Sequence, residues 1–204
     1  WMSCASCHFD GQSDGQVWDG FPGGARNTPV LYDLLNTAPY NWSATWDELA
    51  DVEVKIRRLQ AGEGLIDGQT FPPLSSDFHA GLSPDLDTLV AYLVSLTGPE
   101  SPTPEDAAIV ERGAAVFSEL ECAACHTGET FLDGMSHDVG TGGEFDTPTL
   151  RWLWQSAPYY HDGRAETLLD VFTLPGAHQL ISDVPLDDIN ALIAYLLSLP
   201  QPSE

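Results

Sequence analysis

Apolar residues recur at helical spacing in two similar segments, one in each half of the chain. The first segment is LSPDLDTLVAYLVSL, from Leu82, and the second is SDVPLDDINALIAYLLSL, from Ser182. In each of them a proline, Pro84 or Pro185, and acidic residues stand near the start of an apolar run with three- and four-residue spacing. This pattern is typical of an amphipathic helix. We therefore predict a closing helix at the end of each half.

A third helix is predicted in AAIVERGAAVFSELECAACH, which begins at Ala107 and has small or apolar residues at helical spacing. The stretch before it, TGPESPTPED, has the prolines and acidic residues of a linker. The first half contains no counterpart of this helix. We therefore expect that the helix precedes Trp1 in a longer precursor. No alternating pattern is long enough to predict a sheet.

An internal repeat organises the chain. TPVLYDLLNTAPYNWSATWDELADV, from Thr28, aligns without a gap with TPTLRWLWQSAPYYHDGRAETLLDV, from Thr147. The intervening stretches are rich in glycine, proline and aspartate, as expected for loops that wrap a cofactor rather than pack on themselves. The sequence therefore predicts two similar units in tandem.

All four cysteines occur in two copies of the motif C-x-x-C-H. These motifs supply the residues Cys4, Cys7 and His8, and again Cys122, Cys125 and His126. In covalent haem attachment the two thiols add to the haem vinyl groups, and the histidine supplies an imidazole to the iron. Neither a disulfide framework nor a structural zinc site calls for a histidine directly after the second cysteine in both copies. The motifs therefore predict two covalently attached haem c groups.

Together, the motifs, the repeat and the helical pattern predict an all-α protein. We expect two tandem cytochrome c domains with loop-rich haem pockets, the first over residues 1–99 and the second over residues 100–204. Covalent haem attachment of this kind is completed outside the cytoplasm, so a periplasmic or extracellular location is expected.

The charge of the chain is strongly unbalanced, with 31 acidic against 7 basic residues and a net charge of −24. Lys55 is the only lysine. Such a charge argues against nucleic acid as a partner, because the phosphates would be repelled. It is typical of a solvated surface, as in proteins from a high-salt source, and it would also steer a basic redox partner. No apolar run approaches the length needed to span a bilayer.

The residues resemble the bacterial di-haem cytochrome c peroxidase family, which includes the MauG-like enzymes. FDTPTLRWLWQSAPYYHDGRAETLLDV is the best-matching stretch, and RNTPVLYDLLNTAPYNW is similar to the family's N-terminal counterpart. The resemblance implies that Trp42 lies between the two haems and links them electronically. It also implies a calcium ion between the domains, held by Asn27, Ser156 and the backbone of Pro158, since oxygen ligands suit a hard cation.

The sequence after the first haem motif differs from the family at the position of the capping histidine. In the peroxidases a histidine after the first motif caps the resting iron, and the equivalent place here falls on Asp19. Aspartate is a poor ligand for haem c, so the first iron is expected to be five-coordinate or to hold water. The family's acid/base glutamate falls near Glu63, one residue out of register. An exposed loop glutamate is the alternative interpretation of Glu63, since acid/base work requires hydrogen-bond reach of the reacting atoms.

The second haem departs as well, because the family's distal methionine falls on Pro175, which cannot bind iron. His178 follows shortly after and is the predicted axial ligand. The alternatives are His137, His161 and Met135, of which His161 is expected to have a structural hydrogen-bonding role in the HDG turn. His79 could cap the first haem, although a surface position is the expectation for it.

Three functions follow. The first is electron transfer between the two haems and redox partners. The second is a peroxidase-like oxidoreductase, in which the first haem reacts with peroxide, Glu63 supplies acid/base work and Trp42 passes electrons. The third is a haem-bearing relay or interaction module of a larger protein or assembly. We further expect a preceding segment or another subunit to cover the surface near Trp1, because large apolar patches are rarely left exposed.

Overall fold

Helices provide most of the regular structure. The computed structural model describes residues 3–67, 78–102 and 106–200, so Trp1 and the predicted contact around it lie outside the described residues. The helices are α1 Val52–Arg58, α2 Pro84–Val94, α3 Ala107–Glu119, α4 Leu168–Thr173 and α5 Leu186–Leu197. Two short antiparallel pairs accompany them, β1 Val17–Trp18 with β2 Arg26–Asn27 and β3 Ser136–Asp138 with β4 Glu144–Asp146. These ladders were not predicted, since two or three residues are too few to display a period of two.

The three helices predicted from apolar spacing are all present, and local capping explains where they begin. At the start of α2, the Ser83 side chain accepts a hydrogen bond from the Leu86 amide at 3.3 Å, with Pro84 in the first turn. At the start of α3, Asp106 accepts from the Ala108 amide at 2.8 Å. Both contacts satisfy amides that have no partner within the helix. In the part of the chain described, every helix is too short or too polar to cross a membrane.

Helices α3 and α5 pack closely and form the core of the second half. Gly113 of α3 is buried against α5, and a Cβ atom built on it would lie only 2.0 Å from the Ala191 carbonyl oxygen. Glycine is therefore what permits this approach of two helix backbones. Buried apolar side chains surround the crossing; they are Val116, Phe117, Leu150, Leu153, Leu168, Phe172, Ile189, Leu192, Leu196 and Leu199.

The repeat in the sequence is also a repeat in local structure. The Tyr40 hydroxyl donates to the Leu34 carbonyl at 2.9 Å, and its counterpart Tyr159 donates to Leu153 at 3.0 Å. Each tyrosine also begins a turn that a single β-bridge closes. The two halves therefore share the conformation of the aligned segments as well as their residues.

The same symmetry relates the contacts between the halves. The Asn27 amide donates to the His161 carbonyl at 2.7 Å, and the Asp146 amide donates to the Trp42 carbonyl at 3.1 Å. In the repeat alignment Asn27 corresponds to Asp146, and Trp42 corresponds to His161. The two hydrogen bonds are therefore one contact made twice, which indicates an approximate two-fold axis between the halves.

A second pair of contacts obeys the same relation. The Tyr32 and Trp152 rings lie 5.2 Å apart between centroids, and Arg151 lies 3.5 Å from the Asp33 carboxylate. Tyr32 corresponds to Arg151 and Asp33 to Trp152 in the repeat, so exchanging the halves converts one contact into the other. All four residues are buried or half-buried. The junction of the halves is thus a packed interface.

Candidate haem sites

Both C-x-x-C-H motifs fold into the same short turn. Residues Cys4–Ser6 and Cys122–Ala124 each form one 3₁₀ turn. The amide of His8 donates to the Cys4 carbonyl at 2.8 Å, and that of His126 donates to the Cys122 carbonyl at 3.0 Å. All four cysteines are free thiols. Each turn therefore holds a histidine one turn away from a free thiol, as haem attachment requires, and the disulfide alternative is not adopted.

His126 is oriented by its second ring nitrogen. Its Nδ1 donates to the Phe131 carbonyl at 3.0 Å, which fixes the tautomer and leaves the lone pair of Nε2 for a metal. Burial lowers the pKa of His126, so the ring is neutral at pH 7. Burial likewise lowers the pKa of His8 to about 4, while the Pro29 carbonyl acts in the opposite direction. His8 Nδ1 has no hydrogen-bond partner. Both rings are thus in the form that binds iron.

His178 faces His126. The centroids of the two rings lie 6.3 Å apart, with 38° between their planes. An imidazole nitrogen binds a first-row metal at about 2 Å, so two rings that share one metal have centres roughly 6 Å apart. The pKa of His178 falls to about 4, first through burial and then through His126, and its Nδ1 is buried without a hydrogen-bond partner. The two residues would therefore fit as protein ligands of one haem iron.

The alternative ligands are engaged elsewhere or exposed. His137 Nε2 lies 2.7 Å from an Asp133 carboxylate oxygen. Met135 is 58% exposed. The His161 ring stacks on Phe145 at 3.7 Å, and its carbonyl accepts the interface hydrogen bond from Asn27 described above. The geometry therefore favours His178.

Trp42 lies at the junction of the halves. Its indole Nε1 donates to the Asn27 carbonyl at 2.9 Å, and its ring meets the edge of the His161 ring at 6.5 Å between centroids. The tryptophan thus contacts its own repeat counterpart across the interface. The family resemblance implies that Trp42 lies between two haems, and this role stays a prediction.

The predicted calcium ligands come together in part. The Asn27 side-chain amide donates to the Pro158 carbonyl, while Asn27 Oδ1 is buried without a hydrogen-bond partner. An orphaned buried oxygen beside a carbonyl oxygen suits a hard cation. The Ser156 hydroxyl donates to the Trp152 carbonyl at 2.9 Å and remains able to accept or to bind a metal.

Glu63 and Asp19 are both exposed. Glu63 belongs to the segment after α1, and the buried carboxylate of Glu53 holds that segment by accepting from the amides of Leu65 and Ile66 at 2.8 and 3.0 Å. Arg57 Nε also donates to Glu53, at 2.8 Å. Burial raises the pKa of Glu53, but these hydrogen bonds outweigh it and keep the pKa below its usual value. The segment that carries Glu63 is therefore anchored to the helix.

The expected surface position of His79 is wrong. His79 is fully buried, and its Nδ1 lies 2.7 Å from Asp51 Oδ1. The Glu48 carboxylate accepts from the amides of His79 and Ala80. These acidic partners precede His79 by roughly thirty residues, whereas a local sequence pattern extends over only about one helical turn. The sequence around His79 therefore gave no sign of burial.

Two polar residues in this region were not predicted as site residues. Lys55 places its ammonium group 5.5 Å from the Phe21 ring centroid and 5.9 Å from that of Trp46. The carboxyl group of Asp146 has its pKa raised to about 7, first by burial and then by Asp133, and its Oδ1 is buried without a partner. The single occurrence of lysine was the available signal for Lys55, whereas nothing local marks Asp146.

Comparison with known proteins finds similar haem proteins, although no family model matches the chain. The gamma subunit of hydrazine synthase from Kuenenia stuttgartiensis is 25% identical, over 97% of this chain and 72% of that protein. The methylamine utilization protein MauG of Methylorubrum extorquens is 28% identical, over 82% of this chain and 61% of its own length. Cytochrome c551 peroxidase of Pseudomonas aeruginosa is 23% identical, over 97% and 72%.

Solved structures show the same fold. A structure of Kuenenia stuttgartiensis hydrazine synthase pressurized with xenon contains a chain that matches with a TM-score of 0.76 at 24% identity, over 97% of this chain and 81% of that one. A MauG-like protein associated with microbial copper homeostasis matches with a TM-score of 0.65 at 20% identity, over 98% and 83%.

The paired attachment turns and the facing histidines define a c-type haem protein. The comparisons point the same way: the chain is similar to a hydrazine synthase subunit, to MauG and to a cytochrome c peroxidase, which agrees with the family resemblance of its motifs.

Proposed function

We propose that this protein transfers single electrons between two covalently attached haem c groups and external redox partners. The observation that carries the proposal is the recurrence of one attachment turn in both halves, each with a half-buried neutral histidine. When bound, each haem iron supplies a site that gains and loses one electron. The chain's own residues fix where those sites lie and what surrounds them.

Different residues serve the two sites. His126 and His178 would hold the second haem iron, and burial keeps both rings neutral. His8 would hold the first haem iron, and the exposed Asp19 would supply no ligand to it. Trp42, which is fixed by its hydrogen bond to Asn27 at the junction, provides the aromatic group between the sites. The result is one closed haem for transfer and one open haem for exchange with small molecules.

Mass spectrometry of the denatured protein tests the proposal. Both motifs are intact and both turns are formed, so the polypeptide is expected to carry the mass of two haems. A Cys122→Ser, Cys125→Ser variant is the matched control and should retain one. A wild-type mass equal to the bare polypeptide, or to the polypeptide with one haem, would contradict a di-haem cytochrome.

A second candidate function is peroxidase-like turnover at the first haem. The name of one relative supports it, the cytochrome c551 peroxidase. In this proposal the carboxyl group of Glu63 would give or take up a proton, and the first haem would supply the peroxide chemistry. Anchoring of its segment by the buried Glu53 supports the role, because a proton donor must be held within reach of the reacting atoms.

Replacing Glu63 with glutamine is expected to lower peroxide turnover by roughly 10²-fold or more, the usual effect of removing a general acid/base, while cyanide still binds. Cyanide titration and peroxide consumption, measured on the same preparation, separate the two effects. Glu111→Gln, at an exposed site on α3, is the control and should change neither. Equal turnover in the Glu63 variant and wild type would remove Glu63 from the reaction.

A third arrangement makes the chain a haem-bearing relay within an assembly. It is supported by similarity to hydrazine synthase subunit gamma, which its name describes as one subunit of several. The net charge of −24 favours a basic partner protein through long-range attraction.

We further propose that Asn27, Pro158 and Ser156 hold calcium at the junction and that the protein works in the periplasm or outside the cell.

A further inference from the structure

The contact that Asn27 makes across the junction recurs in the other half with an acid in place of the amide. In the first copy, the Asn27 side-chain amide donates to the Pro158 carbonyl. In the repeat, Asn27 corresponds to Asp146 and Pro158 corresponds to Pro39. An ionised carboxylate only accepts hydrogen bonds, so it has nothing to donate to a carbonyl oxygen. The second copy of the contact therefore needs a different chemical solution.

The strands that carry the two residues match in detail. Asn27 pairs with Val17, the first residue of β1, and Asp146 pairs with Ser136, the first residue of β3. The backbone amides of Asn27 and Asp146 also make the two equivalent hydrogen bonds to the opposite half described above, at 2.7 and 3.1 Å. The side chain of Asp146 therefore leaves the backbone at the place where that of Asn27 does in the first half.

The turns that face the strands match as well. A Cβ atom built on Gly15, just before β1, would lie 3.6 Å from the Ala157 carbonyl oxygen. One built on Gly134, just before β3, would lie 4.0 Å from both the Ala38 carbonyl oxygen and Pro39 Cδ. Each glycine thus faces the Ala–Pro turn of the opposite half. The turn that carries Pro39 therefore lies against the β3–β4 ladder as its counterpart lies against β1–β2.

The carboxylate of Asp146 has an unmet need for positive charge. Its Oδ1 is buried and has no hydrogen-bond partner among the described residues. Burial and then the nearby Asp133 raise the pKa of Asp146 to about 7, since a bare negative charge is unfavourable there. His137 lies 2.7 Å from Asp133 and is engaged with that carboxylate. With the Pro39 carbonyl opposite Asp146, two acceptors face each other, and only a proton or a cation can join them.

We propose that the Asp146 carboxylate and the Pro39 carbonyl bind a calcium ion at the junction, at the place that the approximate two-fold axis relates to Asn27 and Pro158. Carboxylate and carbonyl oxygens are ligands that calcium takes in proteins, and water completes its coordination. The ion offsets the negative charge that Asp146 and Asp133 bring together. This site is separate from the calcium proposed at Asn27, and it does not depend on electron transfer.

The test compares Asp146→Asn with wild type, both as intact holoprotein at about pH 8. Calcium is removed with a chelator and titrated back by calorimetry. Asp146→Asn should bind one calcium fewer per chain, or bind it at least about tenfold more weakly, the loss of a charged ligand. The variant should fold, because its amide can donate to the Pro39 carbonyl as Asn27 does to Pro158. Glu144→Gln, exposed on the same strand, is the control and should bind as wild type does.

Thermal unfolding gives an independent readout. Calcium at about 100 times its dissociation constant should raise the melting temperature of wild type by roughly 5 °C more than that of Asp146→Asn. Without calcium, Asp146→Asn should be at least as stable as wild type, because the amide removes the unfavourable charge. A variant that merely damages packing would instead be less stable with and without the ion.

Two results would overturn the inference. The first is equal calcium binding by Asp146→Asn and wild type, and the second is no calcium in wild type, which would leave a proton between the two oxygens. If Asp146→Asn does not fold, a crystal structure of wild type grown with calcium decides, with an ion expected about 2.4 Å from the Asp146 carboxylate. If the calcium proposed at Asn27 fails, wild type binds a single ion and Asp146→Asn none. A mass that shows one haem or none is a failure of the proposed function and leaves this comparison intact.

Discussion

Replacing His178 with alanine is expected to convert the second haem from low-spin to high-spin ferric iron. The ring of His178 lies 6.3 Å from that of His126, and removing it would leave the iron with one protein ligand. The low-temperature electron paramagnetic resonance spectrum of the oxidised protein measures the change. His137→Ala is the matched control, since His137 is bound to Asp133. If His137→Ala produces the high-spin signal and His178→Ala does not, the ligand assignment is wrong.

The pair of His126 and His178 also bears on the reduction potential of the second haem. Histidine/histidine ligation holds a haem at a lower potential than histidine/methionine ligation, because the thioether favours the reduced iron. With His178 as its ligand, the second haem is therefore expected to be a stronger reductant than it would be with the methionine that the family resemblance places at Pro175.

Replacing Gly113 with alanine is expected to destabilise the protein by about 2 kcal/mol or more, the cost of overpacking a tight core. The added Cβ would lie 2.0 Å from the Ala191 carbonyl oxygen and 2.6 Å from Tyr195 Cβ, so α3 and α5 must separate. Helix propensity alone would make alanine more stable than glycine here by roughly 1 kcal/mol, so the expected change has the opposite sign. The free energy of unfolding in denaturant measures the effect.

Ser118→Ala is the control for this experiment, because Ser118 is exposed on the same helix and alanine there should leave stability nearly unchanged. A Gly113→Ala variant as stable as wild type, or more stable, would mean that the helices do not approach as closely as the structure shows.

Features with a local cause were predictable from the sequence. The helix beginning near Pro84 is marked by a capping serine and by apolar spacing within a few residues, and the motif that ends at His126 contains every group that attaches a haem. The repeat likewise needs only a comparison of the chain with itself. His178 was proposed from the family resemblance, which places the distal methionine on Pro175, and its role as a ligand stays a prediction.

Features that join distant residues were not predictable. His79 is buried because its ring packs against the carboxylates of Asp51 and Glu48, and neither residue is near it in sequence. The ladder between β3 and β4 pairs residues across a turn with too few positions to show alternation. The surroundings of Lys55 depend on Phe21 and Trp46 converging from two separate segments. Only tertiary packing brings these groups together, so the sequence pattern has no local trace of them.

The approximate two-fold axis between the halves has a consequence for how the molecule could diversify. In an assembly of two identical subunits, any substitution beside the axis appears twice, so a tryptophan there would be obliged to meet a tryptophan. Joining both copies in one polypeptide removes that obligation. Here the indole of Trp42 meets the imidazole of His161, and Asn27 is matched by Asp146. The two sides of the junction therefore carry different residues, a polarity that a symmetric pair of identical chains could not have.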